Sequence, residues 1–257
     1  MTGDATVAAG PAAATRAAAL ELWHVDTRAS SAALSALEER ERLLSDWERT
    51  RAAEFPDRAQ AGEWLAAHIA LRLVLERAAG IAARGVAFTR SAGGKPRLEG
   101  APVSFSLSHV AGAALIAVTS GGTVGVDLER ERKVRVREPR RTRVEAAGAA
   151  LSPEVPLPAL GEARFLQAWV RLEAFAKAEG SGVGRLLTRL GVSGDAAGSE
   201  AEFRARIDSV LETTQVVATR DVALGEGLYA AVASGPKLAA FEVFRLPADK
   251  SSRGCCN

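Results

Sequence analysis

Cysteine is nearly missing from this sequence. The two present, Cys255 and Cys256, are adjacent at its end. Neighbouring cysteines bridge poorly, which excludes a disulfide framework and fits a reducing, cytoplasmic setting. The pair is not a prenylation box, so it gives little reason to expect a lipid anchor. Histidine is scarce as well: His24, His68 and His109 are the full set. No Cys/His cluster of the zinc kind can be drawn from them. No apolar run is long enough to span a membrane. A net charge of +2 asks for neither nucleic acid nor a membrane surface. A Walker A loop and a G-x-G-x-x-G turn are both absent. Lysine is rare beside arginine, 5 against 28, which singles out each lysine.

What remains is ordinary globular material. Hydrophobic residues make up 47% and charged residues 25% of 257 positions, enough for one large domain or two small ones. Residues 1–18 lack the basic start and leucine-rich centre of a signal peptide and read as a flexible Ala-rich extension. Residues 19–27 read as a strand, and 31–50 as helix. A second helix runs from Asp57, an N-cap residue, to Ala79, closed by Gly80, with Trp64, Leu65, Ile69, Leu71 and Leu75 as its apolar stripe. Short strands follow, including PVSFSLSH and GAALIAVTS, and Gly121-Gly122 precedes TVGVDLE. Residues 130–160 read as a long loop with at most one short helix. Helical spacing returns from Glu162 to Glu179; 227–234 and 239–246 read as closing strands, and 247–257 as a tail. The expected fold class is α/β (α+β) with two similar halves, 19–120 and 122–246.

The strand TVGVDLE places Val124, Val126 and Leu128 on one face, and Asp127 and Glu129 on the other. Two carboxylates about 7 Å apart need a positive neighbour. A hard divalent cation is one answer; Arg130 or Arg132 is the simpler one. In FLQAWVRLEAFAKAEGSG, residues Phe165, Trp169, Leu172, Phe175 and Ala176 form one helical stripe. Glu173 and Lys177, four apart, stand together beside it, either as a plain surface pair or as a carboxylate and an ammonium facing Asp127 and Glu129. Gly180 and Gly182 end that helix and permit close approach of another group. Lys95 sits in the GKP turn locked by Pro96; a strand ends in Ser108-His109, able to offer donors to an anion. Taken alone, Lys95 reads as a solvated turn lysine and His109 as a satisfied, partly buried histidine.

Four motifs in order carry a resemblance: GKP (94–96), SLSH (106–109), VGVDLE (124–129) and WVRLEAFAKAEGSG (169–182). Together they resemble the 4′-phosphopantetheinyl transferases of the larger, Sfp-type class, over roughly residues 19–246. The resemblance implies a pseudo-dimer in one chain, with coenzyme A bound between two pseudosymmetric halves, in a monomer. It implies Mg²⁺ held by Asp127, Glu129 and Glu173, with Glu173 as general base and Lys177 at the transferring phosphate. It implies nucleotide phosphates held by Lys95, Ser108 and His109, with Pro96 in the same turn; Arg51, Arg58 and Arg72 are further candidates. The partner implied is an acyl or peptidyl carrier protein whose serine receives phosphopantetheine, with 3′,5′-ADP leaving. The chain departs from the family at Leu172, where a lysine usually stands; Arg171, one residue earlier, points about 100° away around the helix. His68 stands near a usual arginine, and only LSPE (151–154) is similar to the family's loop motif. These departures make a non-catalytic member that binds coenzyme A or carrier protein the competing expectation. The basic run 130–143 is either a solvated loop or a docking strip for an acidic carrier. Nucleic acid is disfavoured there, since no aromatics interleave with it.

Overall fold

Alternation of apolar side chains along two sheets sets the layering. The computed structural model describes residues 20–80, 83–192, 198–216, 218–235 and 241–246. The expected extension at 1–18 and the tail at 247–257, with both cysteines, lie outside the described residues. The first block holds β1 (Leu20–Val25), α1 (Thr27–Glu41), α2 (Asp46–Ala53), α3 (Arg58–Ala79), the short β2 (Thr89–Arg90) and β3 (Pro96–Arg97), β4 (Ser104–Val110) and β5 (Ala113–Thr119). The second holds β6 (Thr123–Arg130), α4 (Arg140–Ala150), α5 (Gly161–Glu179), α6 (Val183–Arg189), α7 (Glu200–Thr213), β7 (Ala218–Asp221) and β8 (Leu228–Gly235), and β9 (Phe241–Arg245) follows.

One sheet has the order β4-β5-β1-β9 and another β6-β8-β7, while β2 and β3 pair alone. Strand β5 is buried throughout, because both its faces are covered. Its Ala114, Ile116 and Val118 pack with Ile69, Leu71 and Leu75 of α3. Its Leu115 and Ala117 pack with Val124, Val126, Leu128, Ala230 and Val232 of the other sheet. The far side of that second sheet, through Ala231 and Ala233, packs with Phe165, Leu172 and Phe175 of α5. The result is helix, sheet, sheet, helix, with an apolar seam between the sheets. Among the described residues, no helix is long and apolar enough to cross a membrane.

The helix α3 follows its sequence signals: Asp57 accepts from the backbone N–H groups of Ala59 and Gln60, and Gly80 closes it with φ 65°. The helix expected over 31–50 is two helices. Arg42, at φ 52°, ends α1, and a Ser45–Glu48 capping box opens α2. The loop expected over 130–160 contains α4, which begins inside the basic run, while Val134 and Val136 just before it pack on the core. The closing strand β9 pairs in parallel with β1, so the chain returns to the first sheet instead of completing the second.

Candidate active site

Gly125 decides how close α5 comes to β6. A Cβ there would stand 2.1 Å from the Ala174 carbonyl oxygen and 2.3 Å from the Ala178 nitrogen, so the helix backbone rests directly on the strand. This contact brings Glu173 and Lys177 over Asp127, two residues further along β6. Lys177 Nζ donates to Asp127 Oδ1 at 2.6 Å, and Ser108 Oγ, from β4, donates to the same oxygen at 2.8 Å. Lys177 Nζ also lies 3.9 Å from Glu173 Oε2. Asp127 is buried. Burial first, and then the Asp127 charge, push the Glu173 carboxyl up to about 7; Lys177 opposes them, and the Glu129 charge adds to the rise. The cluster therefore holds more negative charge than its one ammonium balances.

Glu129 points to the same face but is turned to Arg132, whose Nη2 donates to it at 3.0 Å. Arg130 instead donates to the Ala111 carbonyl. Among the described residues, no group of three His, Cys, Asp or Glu side chains is gathered to hold a metal ion. Of the expected trio, Asp127 and Glu173 are together and Glu129 is engaged at the rim. The donor set is all carboxylate oxygen, which suits a hard cation. The bond keeping Glu129 away is a solvent-exposed ion pair, weak enough to exchange. The residues thus fit a divalent cation.

Beside this cluster is a cleft of about 640 Å³ between the first block and the end of α5, lined by Lys95, Pro96, His109 and Lys177 among others. Lys95 is half-buried rather than solvated, and its Nζ donates to the Val124 carbonyl at 2.6 Å. Burial, with Arg97 adding, lowers its pKa to about 8. His109 is exposed, yet the protein around its ring, then His68 and Lys177, lower its pKa to about 4. The GKP turn meets the end of α5 tightly: a Cβ on Gly93 would lie 1.5 Å from the Gly180 carbonyl oxygen. The close approach expected at Gly180 is to this turn.

Other candidates lie elsewhere. Arg51 is exposed on α2 and pairs with Glu54, and Arg58 is exposed in the first turn of α3; neither lines the cleft. Arg72 is fully buried, donating to Glu48 and to the carbonyls of Ala83 and Val86. That leaves it closed to a ligand, a correction to its expected role. Arg171 is also fully buried and grips Asp221, while Leu172 lies in the core, so Arg171 does not replace the missing cation. Sequence reasoning missed Trp47, Glu48 and Arg90, which line the cleft. For Glu48, the pattern SDWE was a readable capping box; nothing local marked the other two.

No family model matches the chain. A curated protein of Synechocystis sp., named "Putative 4′-phosphopantetheinyl transferase", is 30% identical over 148 residues, covering 55% of this chain. The match spans 58% of that relative's length. This is a distant homology, and it supports a relation to the phosphopantetheinyl transferases at the level of the superfamily, not of a class within it.

Proposed function

We propose that this protein transfers 4′-phosphopantetheine from coenzyme A to a serine of an acyl or peptidyl carrier protein, with Mg²⁺. One observation carries the reading: Lys177 lines the cleft and also binds Asp127 beside Glu173. A polyphosphate in that cleft would lie within reach of paired carboxylates and three cationic or basic side chains, Lys95, His109 and Lys177. Phosphoryl transfer asks for this kind of setting, since it needs charge neutralisation and in-line positioning more than covalent help.

Asp127, Glu173 and, after leaving Arg132, Glu129 would hold the metal ion, which when bound neutralises charge on the diphosphate. The serine oxygen attacks the β-phosphorus, and the bond from that phosphorus to the bridging oxygen breaks. 3′,5′-ADP leaves with the bridging oxygen and its electron pair. Glu173, which stands with Lys177 over Asp127, takes the serine proton as general base. Lys177 sits against the transferring phosphate, and Ser108 holds Asp127 in place. Lys95 and His109 line the cleft where the nucleotide phosphates lie.

The competing reading is a protein that binds coenzyme A or carrier protein without turnover. It is favoured by Leu172, fully buried where a cation is usual, and by the Glu129–Arg132 pair. Incubation with fluorescent coenzyme A and a panel of apo carrier proteins separates the two. Labelled carrier supports transfer. Coenzyme A binding by calorimetry with no labelled carrier, while a control enzyme labels the same panel, supports the binder.

A further inference from the structure

The row of residues that carries Asp127 across the second sheet carries another carboxylate. Asp127 of β6 stands opposite Ala231 of β8, and Ala231 stands opposite Asp221 of β7. Residues directly opposite share a face, so both acids point to the side on which α5 packs, about 10 Å apart, two strand spacings. Helix α5 meets each with a cation. Lys177 donates to Asp127. Arg171, about 9 Å back along the helix axis, donates to both oxygens of Asp221, at 2.7 and 2.6 Å. The two contacts differ in completeness. Lys177 is partly exposed and also faces Glu173. Arg171 is fully buried and donates further to the carbonyls of Gly148 on α4 and Val155 in the loop after it. Gln167, one turn earlier on α5, donates to the same Asp221 at 2.7 Å. α4 itself rests closely on α5: a Cβ on Gly148 would stand 2.6 Å from Ala168 Cα. The Arg171 side chain thus joins α5 to β7, to α4 and to the loop after α4.

We propose that Arg171 and Asp221 are positioning residues for the reaction site: the pair fixes the rotation and height of α5 on the sheet, and so holds Glu173 and Lys177 over Asp127. The inference rests on the function proposed above and gives a role to two residues that do not line the cleft. Lys177 is the weaker fastening, because in the proposed reaction its ammonium serves the transferring phosphate. Arg171 points about 200° around the helix from Glu173, so its bonds do not change with what the cleft holds. A guanidinium bound through both its edges fixes orientation as well as distance, which an ammonium does not. Replacing a buried ion pair by apolar side chains is often neutral for stability. Position and stability can therefore be tested separately.

The test is the double variant Arg171→Met/Asp221→Val in the full chain, with three measurements: urea denaturation, amide hydrogen exchange, and transfer to an apo carrier protein. The variant is expected to be as stable as wild type. Its amides over residues 172–178 should exchange about tenfold faster or more, with those of α3 unchanged. Transfer should show a kcat about ten- to hundredfold lower at an unchanged KM for coenzyme A, the scale of a misplacement of about 1 Å. Wild-type exchange in α5, or a wild-type kcat, overturns the positioning role and leaves the transferase reading intact. A double variant less stable than wild type passes the decision to Asp221→Asn, which keeps an acceptor oxygen for Arg171. Faster exchange in α5 than in α3, with kcat about three- to tenfold lower at unchanged KM, then supports the role. Equal acceleration of both helices overturns it and leaves the pair merely structural. Faster exchange confined to α5, in a protein whose wild type labels no carrier, supports the fastening of α5 and removes the transferase.

Discussion

The two blocks each bury an acid beneath the same cleft, and the two acids behave in opposite ways. In the first block, Glu48 accepts from Arg72 at 2.6 Å, from His68 Nδ1 at 3.1 Å, and from both the backbone and the hydroxyl of Ser45. Burial would raise its pKa, but these donors outweigh it and hold the carboxyl down at about 2. In the second block, Asp127 and Glu173 share the single ammonium of Lys177, and Glu173 is driven up to about 7. Glu48 is a completed structural network. Asp127 and Glu173 form an incomplete one that a further cation would complete. Burial is common to both; the supply of positive charge separates scaffold from site.

The contrast is sharpest under mutation. Glu173→Gln is expected to leave folding intact and to slow transfer by about 10²- to 10⁴-fold, the usual range for a lost general base. Single-turnover mass spectrometry of the carrier would measure it. Glu48→Gln should do the reverse. It leaves the Arg72 charge buried without its partner and is expected to cost about 3–5 kcal/mol of stability by urea denaturation. If Glu48→Gln is as stable as wild type, the scaffold half of the comparison fails.

Acid offers a second way to separate them. Glu48 titrates at about 2 when folded and near 4.5 when unfolded, so its stabilisation is complete above the unfolded value. It is lost as pH falls from there toward the folded value, by about 3 kcal/mol in all. Thermal melts between those limits should decline in wild type and be flatter in Glu48→Gln. Gly93→Ala has a smaller expected effect. Its methyl group cannot coexist with the Gly180 carbonyl, so the hairpin must move and coenzyme A binding should weaken by about tenfold, for about 1–3 kcal/mol of displaced packing. The smallest effect is expected from Arg132→Ala. Freeing Glu129 from an exposed pair should lower the Mg²⁺ concentration for half-maximal transfer by about two- to fivefold.

Local signals carried much of the fold. The ends of α3 were written as Asp57 and Gly80, and α5 as a stripe ending at Gly180, because caps and periodicity depend only on nearby residues. The parallel pairing of β9 with β1 was not legible, since a strand's sequence names its two faces but not its neighbour. α7 opens with a Ser199–Glu202 capping box and buries Phe203, Ile207 and Val210, a short stripe beside the stronger one of α5. In the site, the spacing of Glu173 and Lys177 was legible, and so was the alternation of Asp127 and Glu129. Which cation answers which acid was not: Arg132 took Glu129, Arg130 took a carbonyl, and Lys177 came from another element to Asp127. Arg72 looked like a phosphate ligand because its partner Glu48 lies on another helix. Ion pairing of this kind is settled by tertiary packing.

The central claim is that Asp127, Glu173 and Lys177 are a phosphoryl-transfer site. The most direct measurement is the mass of an apo carrier protein after incubation with coenzyme A, Mg²⁺ and either wild-type protein or Asp127→Asn. The account predicts a carrier heavier by one phosphopantetheine with wild type and an unmodified carrier with the variant. Equal modification by both would contradict it.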